Sequence, residues 1–192
     1  MSQTTLDIKE PGLNILPPGV ERHVVNAGGL TGLQIYPDDE IEIINDEGNQ
    51  ICEIICFNKD GKSELGILNQ KENSKESFIK EILKRKDESS LVTNLQLKKR
   101  NLDINKSKSS ILFDDQTPSG EKIRIKSKDK CYVIFSAPQN EMLISEQNPS
   151  SDLTLFIKRA KIVNDKELSV IPDPAFEPNY EKNIDRETSI SY

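Results

Sequence analysis

The stretch Asp38–Asn58, DDEIEIINDEGNQICEIICFN, decides the fold class of this 192-residue chain. Ile41 and Ile43 alternate with glutamates, which is the period of a half-buried strand. A polar cluster follows and includes Gly48, a residue that readily takes the positive φ of a tight turn. The apolar run Ile51–Phe57 is long enough for a second strand and too short for a typical helix. We therefore predict two strands joined as a β-hairpin.

Short strand patterns recur along the rest of the chain, separated by turn signals. Most of the links are too short for the crossovers that parallel strands require. One clear helical pattern covers Ser74–Lys86, where four apolar residues form a stripe and Ser74 is placed to cap the first turn. The sequence therefore predicts a mainly β (α+β) fold, an antiparallel β-sandwich or closed barrel with one or two inserted helices. The apolar positions expected in its core are Ile43, Ile51, Ile55, Val133, Phe135, Leu155 and Ile157.

The composition indicates that part of the chain is tail or linker. Hydrophobic residues make up 34% and aromatic residues 5% of the sequence, which is low for a globular domain. We expect an irregular N-terminal arm over residues 1–19 and one β-rich domain over 20–162, with a helical insertion at about 74–103. A proline-rich linker or tail is expected over 163–192.

Charge and hydropathy argue against nucleic-acid and membrane partners. The formal net charge is −6, and the basic cluster of Lys98–Arg100, Lys106 and Lys108 contains no aromatic residue that could stack on bases. We predict that this cluster is a solvated connector. No run approaches the ~20 apolar residues of a membrane span, and the first residues do not resemble a signal peptide. We therefore expect a cytoplasmic protein.

The sequence offers no evident metal site or nucleophile. On one strand, Cys52 and Cys56 would lie ~13 Å apart, too far for a shared metal ion or a disulfide. Cys131 has no evident basic partner, and His23 is the single histidine. We expect buried thiols, no metal, no cofactor and no catalytic residue.

Two polar groups are the candidates for a cleft or ligand site. Gln50 and Glu53 lie between strands that look buried, so they must find hydrogen-bond partners or face a cleft. Their odd separation puts them on opposite faces of a regular strand, so they could share a site only across a bulge. A second group, Gln147, Asn148 and Asp152, precedes the last predicted strand, where Asp152 is placed to brace the loop by accepting backbone N–H groups. In both groups a structural role is favoured over a catalytic or ligand role.

A resemblance to a known family covers about residues 23–60. It is carried by Ala27-Gly28-Gly29, Leu33, Asn45-Asp46, Gly48-Asn49-Gln50, Glu53 and Phe57-Asn58. These residues resemble the urea carboxylase-associated protein family, and the resemblance adds Asn58 to the candidate cleft residues Gln50 and Glu53. Hydrolase members of that family carry a histidine-containing stretch associated with metal binding and with hydrolysis of amidine- or urea-type substrates. This chain has no histidine after Phe57.

A second resemblance covers the C-terminal part of the predicted domain. It is carried by Ser136-Ala137-Pro138, Glu146-Gln147-Asn148-Pro149, Asp152-Leu153 and Phe156-Ile157-Lys158-Arg159-Ala160. These segments resemble the N-terminal module of fused aminomethyltransferase-like proteins. In those proteins such a module precedes a urea carboxylase-associated domain and a folate-binding domain of the glycine-cleavage T-protein kind.

Together the resemblances imply a non-catalytic, degenerate module that accompanies an aminomethyltransferase-like or urea carboxylase-associated partner in one-carbon and nitrogen metabolism. Two alternatives stay open. One is a stand-alone hydrolase of urea- or amidine-type substrates, with Glu53 or Asp152 as general base. The other is a small-molecule binding domain that senses an amine.

Overall fold

The computed structural model describes residues 16–73, 76–139 and 149–161. The strands are β1 (Val20–Val25), β2 (Leu30–Ile35), β3 (Glu40–Asn45), β4 (Cys52–Asn58), β5 (Ser109–Phe113), β6 (Glu121–Lys126), β7 (Cys131–Ser136) and β8 (Leu153–Lys158). The helices are α1 (Phe78–Ile82) and α2 (Glu88–Lys99), with 3-10 turns at Leu65–Leu68 and Ile104–Lys106. All four helical segments fall between β4 and β5.

The eight strands form two four-stranded antiparallel sheets, in the orders β1-β8-β3-β6 and β2-β7-β4-β5. This arrangement is a double-sheet jelly roll. The predicted fold class, an antiparallel β-sandwich with inserted helices, is confirmed.

The predicted hairpin between β3 and β4 is wrong, although both strands exist. β3 pairs with β6 and β8, whereas β4 pairs with β5 and β7 in the other sheet. The link 46–51 carries the chain across the ~10 Å between stacked sheets. It does so through a polar turn in which Gly48 and Asn49 have φ of 81° and 56°. Apolar alternation therefore identified the buried faces of both strands but not their neighbours.

The core between the sheets explains the apolar pattern of β4. Cys52, Ile54 and Cys56 point into this core, while Ile55 and Phe57 pack on the opposite face beneath the helices. Because β4 is buried on both faces, its sequence is almost continuously apolar rather than alternating. The predicted core residues are all buried with one exception. Ile51 is only half-buried, because it lies in the link before the first residue of β4.

The helical insertion covers the outer face of the second sheet. Ile79 and Ile82 of α1 and Leu97 of α2 pack against this face. The helix predicted over 74–86 is shorter than expected and is capped by Ser77, whose hydroxyl accepts a hydrogen bond from the backbone N–H of Lys80. The predicted cap, Ser74, lies outside the described residues.

The lysines of the basic cluster at 98–108 are exposed to solvent, as the sequence predicted, but the segment is more than a connector. Lys98 and Lys99 lie in the last turn of α2, where the helix dipole stabilises positive charge. Arg100 follows as the C-cap and stacks on the ring of Tyr132. Helix propensity and packing on the sheet therefore order this segment.

Among the described residues, no helix has the length and apolarity needed to cross a membrane. The predicted linker over 163–192 and most of the arm over 1–19 lie outside the described part, so these limits stay predictions.

Candidate functional site

Gln50 is fully buried at the entry to β4, and its amide is fully engaged with the backbone. Its Nε2 donates hydrogen bonds to the carbonyl oxygens of Pro138 at 2.9 Å and Ile51 at 3.0 Å. Its Oε1 accepts one from the N–H of Ser151 at 2.8 Å. One amide hydrogen thus joins the start of β4 to the segment that follows β7, and the amide oxygen joins it to the segment that precedes β8. The other amide hydrogen bonds locally to Ile51.

Glu53 is also fully buried, on the face of β4 that α1 covers. Its Oε2 accepts a hydrogen bond of 2.7 Å from the backbone N–H of Ile79, one of the N–H groups that a helix leaves unpaired in its first turn. Burial raises the pKa of Glu53, although the hydroxyls of Ser109 and Ser77 and the charge of Lys80 act against this shift. The carboxyl group therefore anchors the helical insertion to the sheet.

A raised pKa is a property of many general acids and bases. A cleft of about 440 Å³ lies beside Glu53 and is lined in part by Ser77, Lys80 and Ser109, but not by Glu53 itself. The Lys80 ammonium group donates to the carbonyl oxygens of Asn105 at 3.1 Å and Ser107 at 2.9 Å. Because Glu53 is fully buried and does not line this cleft, its carboxyl group is not exposed to a molecule bound there.

Gln50 and Glu53 do not form one site. A register shift between Cys52 and Glu53 interrupts the β4–β5 ladder. Such a bulge was the condition under which the two side chains could share a site. Even so, Gln50 contacts the segments at residues 138 and 151, and Glu53 contacts the first turn of α1.

Asn58, at the far end of β4, organises the turn that follows. Its Oδ1 accepts hydrogen bonds from the N–H groups of Asp60 and Lys62, both at 3.0 Å. Its Nδ2 donates to Glu64 at 2.8 Å. This is the local side-chain-to-backbone bonding by which asparagine stabilises turns.

In the second candidate group, only Asp152 is described. Its Oδ1 accepts a hydrogen bond of 2.8 Å from the backbone N–H of Ala27, which is the kind of bracing contact that the sequence favoured. Gln147 and Asn148 lie outside the described residues, so their role stays a prediction.

The three cysteines are free and buried. Burial raises the pKa of Cys52, and a hydrogen bond with Cys131 raises that of Cys56, so both are held as thiols. The sequence missed the contact between Cys56 and Cys131, because it arises from the register of β4 on β7. In the described ranges, no group of three or more His, Cys, Asp or Glu side chains is placed to hold a metal ion.

The sequence also missed a buried ion-pair network around Arg159. Its Nε and Nη2 donate to the two carboxylate oxygens of Glu21, both at 2.8 Å, and its Nη1 donates to Asp39 at 2.7 Å. The side chains of Arg159 and Asp39 are only 12% and 2% exposed. No local pattern links these three positions, which are brought together by the pairing of β8 with both β1 and β3.

The fold and these contacts define a jelly-roll domain whose described candidate side chains hold its own segments together. No family model matches the chain. Among curated proteins, it is 30% identical over 185 residues to the trimethylamine-oxide aldolase of Ruegeria pomeroyi. The match covers 96% of this chain and 23% of the aldolase, so the chain spans about a quarter of the length of this relative. The relationship is distant and does not by itself identify the urea carboxylase-associated family.

Proposed function

We propose that this chain is a non-catalytic, degenerate module of the urea carboxylase-associated type that works with an aminomethyltransferase-like enzyme of one-carbon and amine metabolism. One observation carries the proposal. Nearly the whole chain matches a 23% share of a much longer enzyme whose name places it in amine chemistry. A chain of that kind is expected to contribute a domain to a larger activity rather than a complete activity.

The polar contacts of the domain support this proposal. A general acid or base must come within hydrogen-bond reach of its substrate. Glu53 is buried beneath α1. One carboxylate oxygen of Asp152 accepts a hydrogen bond from the backbone N–H of Ala27. Both side chains act as structural anchors in this arrangement.

An exposed apolar surface on α2 supplies a place for the partner to dock. Leu91, Val92 and Leu95 are 53%, 42% and 65% exposed, and residues at these spacings share one side of a helix. Grouped apolar side chains on a surface are characteristic of protein–protein contacts. We assign this α2 apolar surface to the enzyme domains that correspond to the rest of the aldolase.

A chimera tests the proposal. This chain replaces the matching segment of the Ruegeria pomeroyi aldolase, and loss of the trimethylamine N-oxide methyl signal is followed by proton NMR. The chimera is expected to consume the substrate, whereas the isolated chain and an aldolase lacking the segment are not. Consumption by the isolated chain would contradict the proposal, as would a chimera no more active than the deletion.

The hydrolase alternative is tested on the isolated chain. Ammonia release from urea, guanidine and their carboxylated derivatives is measured beside the Glu53→Gln and Asp152→Asn variants. The module proposal predicts no release from any of the three proteins. Turnover that either substitution abolishes would establish the hydrolase instead.

A further inference from the structure

Helix α2 is amphipathic in the opposite sense to most surface helices. Two of its three buried residues, Ser90 and Thr93, carry hydroxyl groups. Its exposed apolar residues are Leu91, Val92 and Leu95, which form the α2 apolar surface. Successive residues of a helix are rotated by about 100°, so the buried and the exposed apolar positions lie on opposite sides of α2. The α2 apolar surface therefore faces away from the sheet, where another molecule can reach it.

Charges of opposite sign flank this surface at its two ends. Glu88 precedes Leu91 by one turn, and Lys98 and Lys99 follow Leu95 by one turn, so all of them share one side of the helix. The three charged residues are exposed. In the described part of the chain, none of the three forms an ion pair. The exposed side of α2 is thus acidic at one end, apolar in the middle and basic at the other end.

This side of α2 is complementary to itself across a two-fold axis. In an antiparallel pair of α2 helices, an axis at the level of Thr93 places Leu91 of one copy opposite Leu95 of the other. The same axis places Glu88 opposite Lys98, because both pairs are centred on residue 93. A parallel pair would instead bring like charges together. One axis therefore matches apolar with apolar and acidic with basic side chains, which is what an isologous interface requires.

We propose that the α2 apolar surface binds a second copy of this chain, with the two α2 helices antiparallel. The contact is small, because each copy contributes three exposed apolar side chains, whereas a standard interface has about 20–30 residues a side. The dissociation constant is therefore expected to be on the order of 100 µM. Well below that concentration the chain is a monomer, so its unfolding temperature there does not depend on the dimer contact.

The dimer uses the same residues that the proposed function assigns to the enzyme domains. A module in the dimer is therefore closed to the enzyme, and a module bound to the enzyme cannot form the dimer. Self-association thus competes with docking whenever the module is in excess over the enzyme. This competition rests on the proposed function, whereas the dimer itself does not.

Analytical ultracentrifugation of the isolated full chain, over about 10 µM to 1 mM, tests the dimer. We expect a reversible equilibrium between monomer and dimer. Leu91→Ser/Leu95→Ser should weaken association at least about tenfold, because it removes most of the apolar contact. A wild-type chain that stays monomeric at the highest concentration overturns the proposal, as does association that the double substitution leaves unchanged.

Charge reversal tests the antiparallel orientation. Glu88→Lys and Lys98→Glu/Lys99→Glu each bring like charges together at both ends of the dimer, so each should weaken association about three- to tenfold. An equimolar mixture of these two variants restores opposite charges at both ends and should associate about as tightly as the wild type. Arg22→Glu/Lys128→Glu changes two exposed cations outside α2 by the same total charge and should leave association within about twofold.

A mixture that associates no better than its separate components overturns the antiparallel arrangement. Weakening in the control equal to that in the lysine variant overturns it as well, because the effect then follows from net charge alone. If a charge variant fails to fold, the leucine variant carries the test, since both leucines are exposed. A monomeric chain with an active aldolase chimera would refute the dimer alone, and a dimer with an inactive chimera would refute the proposed function alone.

Discussion

Arg159 shows how strongly the sandwich depends on one buried charge network. Its guanidinium group neutralises Asp39, which is almost fully buried, and binds both oxygens of Glu21. Removing one member of a buried pair leaves an uncompensated charge, which usually costs more than the pair contributes. Arg159→Met should therefore lower the free energy of unfolding by about 3–5 kcal/mol in urea denaturation. Arg159→Lys should also destabilise, because an ammonium group cannot reproduce the bidentate contact.

Arg124→Met is the matched control for Arg159, since Arg124 contacts Glu42 on the exposed face of the first sheet. Exposed ion pairs contribute little, so this variant should unfold close to the wild type. Equal destabilisation by the two Met variants would show that the Arg159 network has no special weight.

The raised pKa of Glu53 predicts that its contribution to the stability of the fold decreases as the pH rises. The unfolded chain releases this proton near the ordinary glutamate pKa of about 4.3, whereas burial raises the pKa of Glu53 in the folded chain. Above pH ~4.3 the unfolded state binds fewer protons, so this group lowers the free energy of unfolding as the pH rises. Glu53→Gln removes the effect, so its stability relative to wild type should increase between pH 4 and pH 7. Urea denaturation across this range measures the difference, and parallel stability curves would contradict the raised pKa.

At the residue scale, the sequence indicated which polar side chains are buried but not which groups they hydrogen-bond or pair with. Gln50 and Glu53 could be recognised as buried polar residues because they interrupt apolar strands. Their partners Ser151 and Ile79 lie 101 and 26 residues away and could not be inferred. The ion pairs of Arg159 could not be inferred from the sequence, because its carboxylate partners lie within β1 and directly before β3. Side-chain pairing of this kind follows from topology, not from local pattern.

Among the elements, the link between β3 and β4 is sensitive to substitution at Gly48. Gly48 has φ of 81°, and a Cβ atom there would lie 2.6 Å from the backbone nitrogen of Ser119. Gly120 has a similar φ of 76°, but a Cβ atom there would meet nothing within 4 Å. Gly120→Ala should therefore cost only the conformational penalty, about 1–2 kcal/mol, and Gly48→Ala should cost clearly more. Thermal unfolding of both variants measures the difference, and equal midpoints would show that the contact with Ser119 relaxes freely.

The error about the hairpin has a physical origin at this scale. Alternation reports which side chains face a core, and both β3 and β4 do face the same core. It does not report the hydrogen-bonding neighbour, which depends on whether the link turns back or crosses to the other sheet. The strand assignments, the turn at Gly48 and the fold class survive because they depend only on local periodicity and turn chemistry.

At the scale of the whole molecule, we expect substitutions in the α2 apolar surface to affect the stability and activity of the aldolase chimera but not the stability of the isolated chain. A Leu91→Ser/Leu95→Ser variant of the isolated chain should keep its unfolding temperature, because both side chains are more than half exposed. In the aldolase chimera the same pair of substitutions should lower the unfolding temperature and the rate of trimethylamine N-oxide consumption. Leu16→Ser, an exposed leucine outside α2, is the control and should affect neither protein. An unchanged chimera would assign the surface to some other role.

The position of β8 has a kinetic consequence. β8 lies between β1 and β3, so Lys158 pairs with Val20 across almost the whole described chain. The first sheet cannot assemble during translation until its last strand has left the ribosome. Pairings between such distant segments close large loops, and folds dominated by them take about milliseconds to seconds to form. β4, the helical insertion and β5 are contiguous, so pulse-labelled hydrogen exchange should show protection of β4 and β5 before β1 and β8. Until then the newly made chain exposes unpaired strand edges, and its yield in the cell should depend on chaperones that cover them.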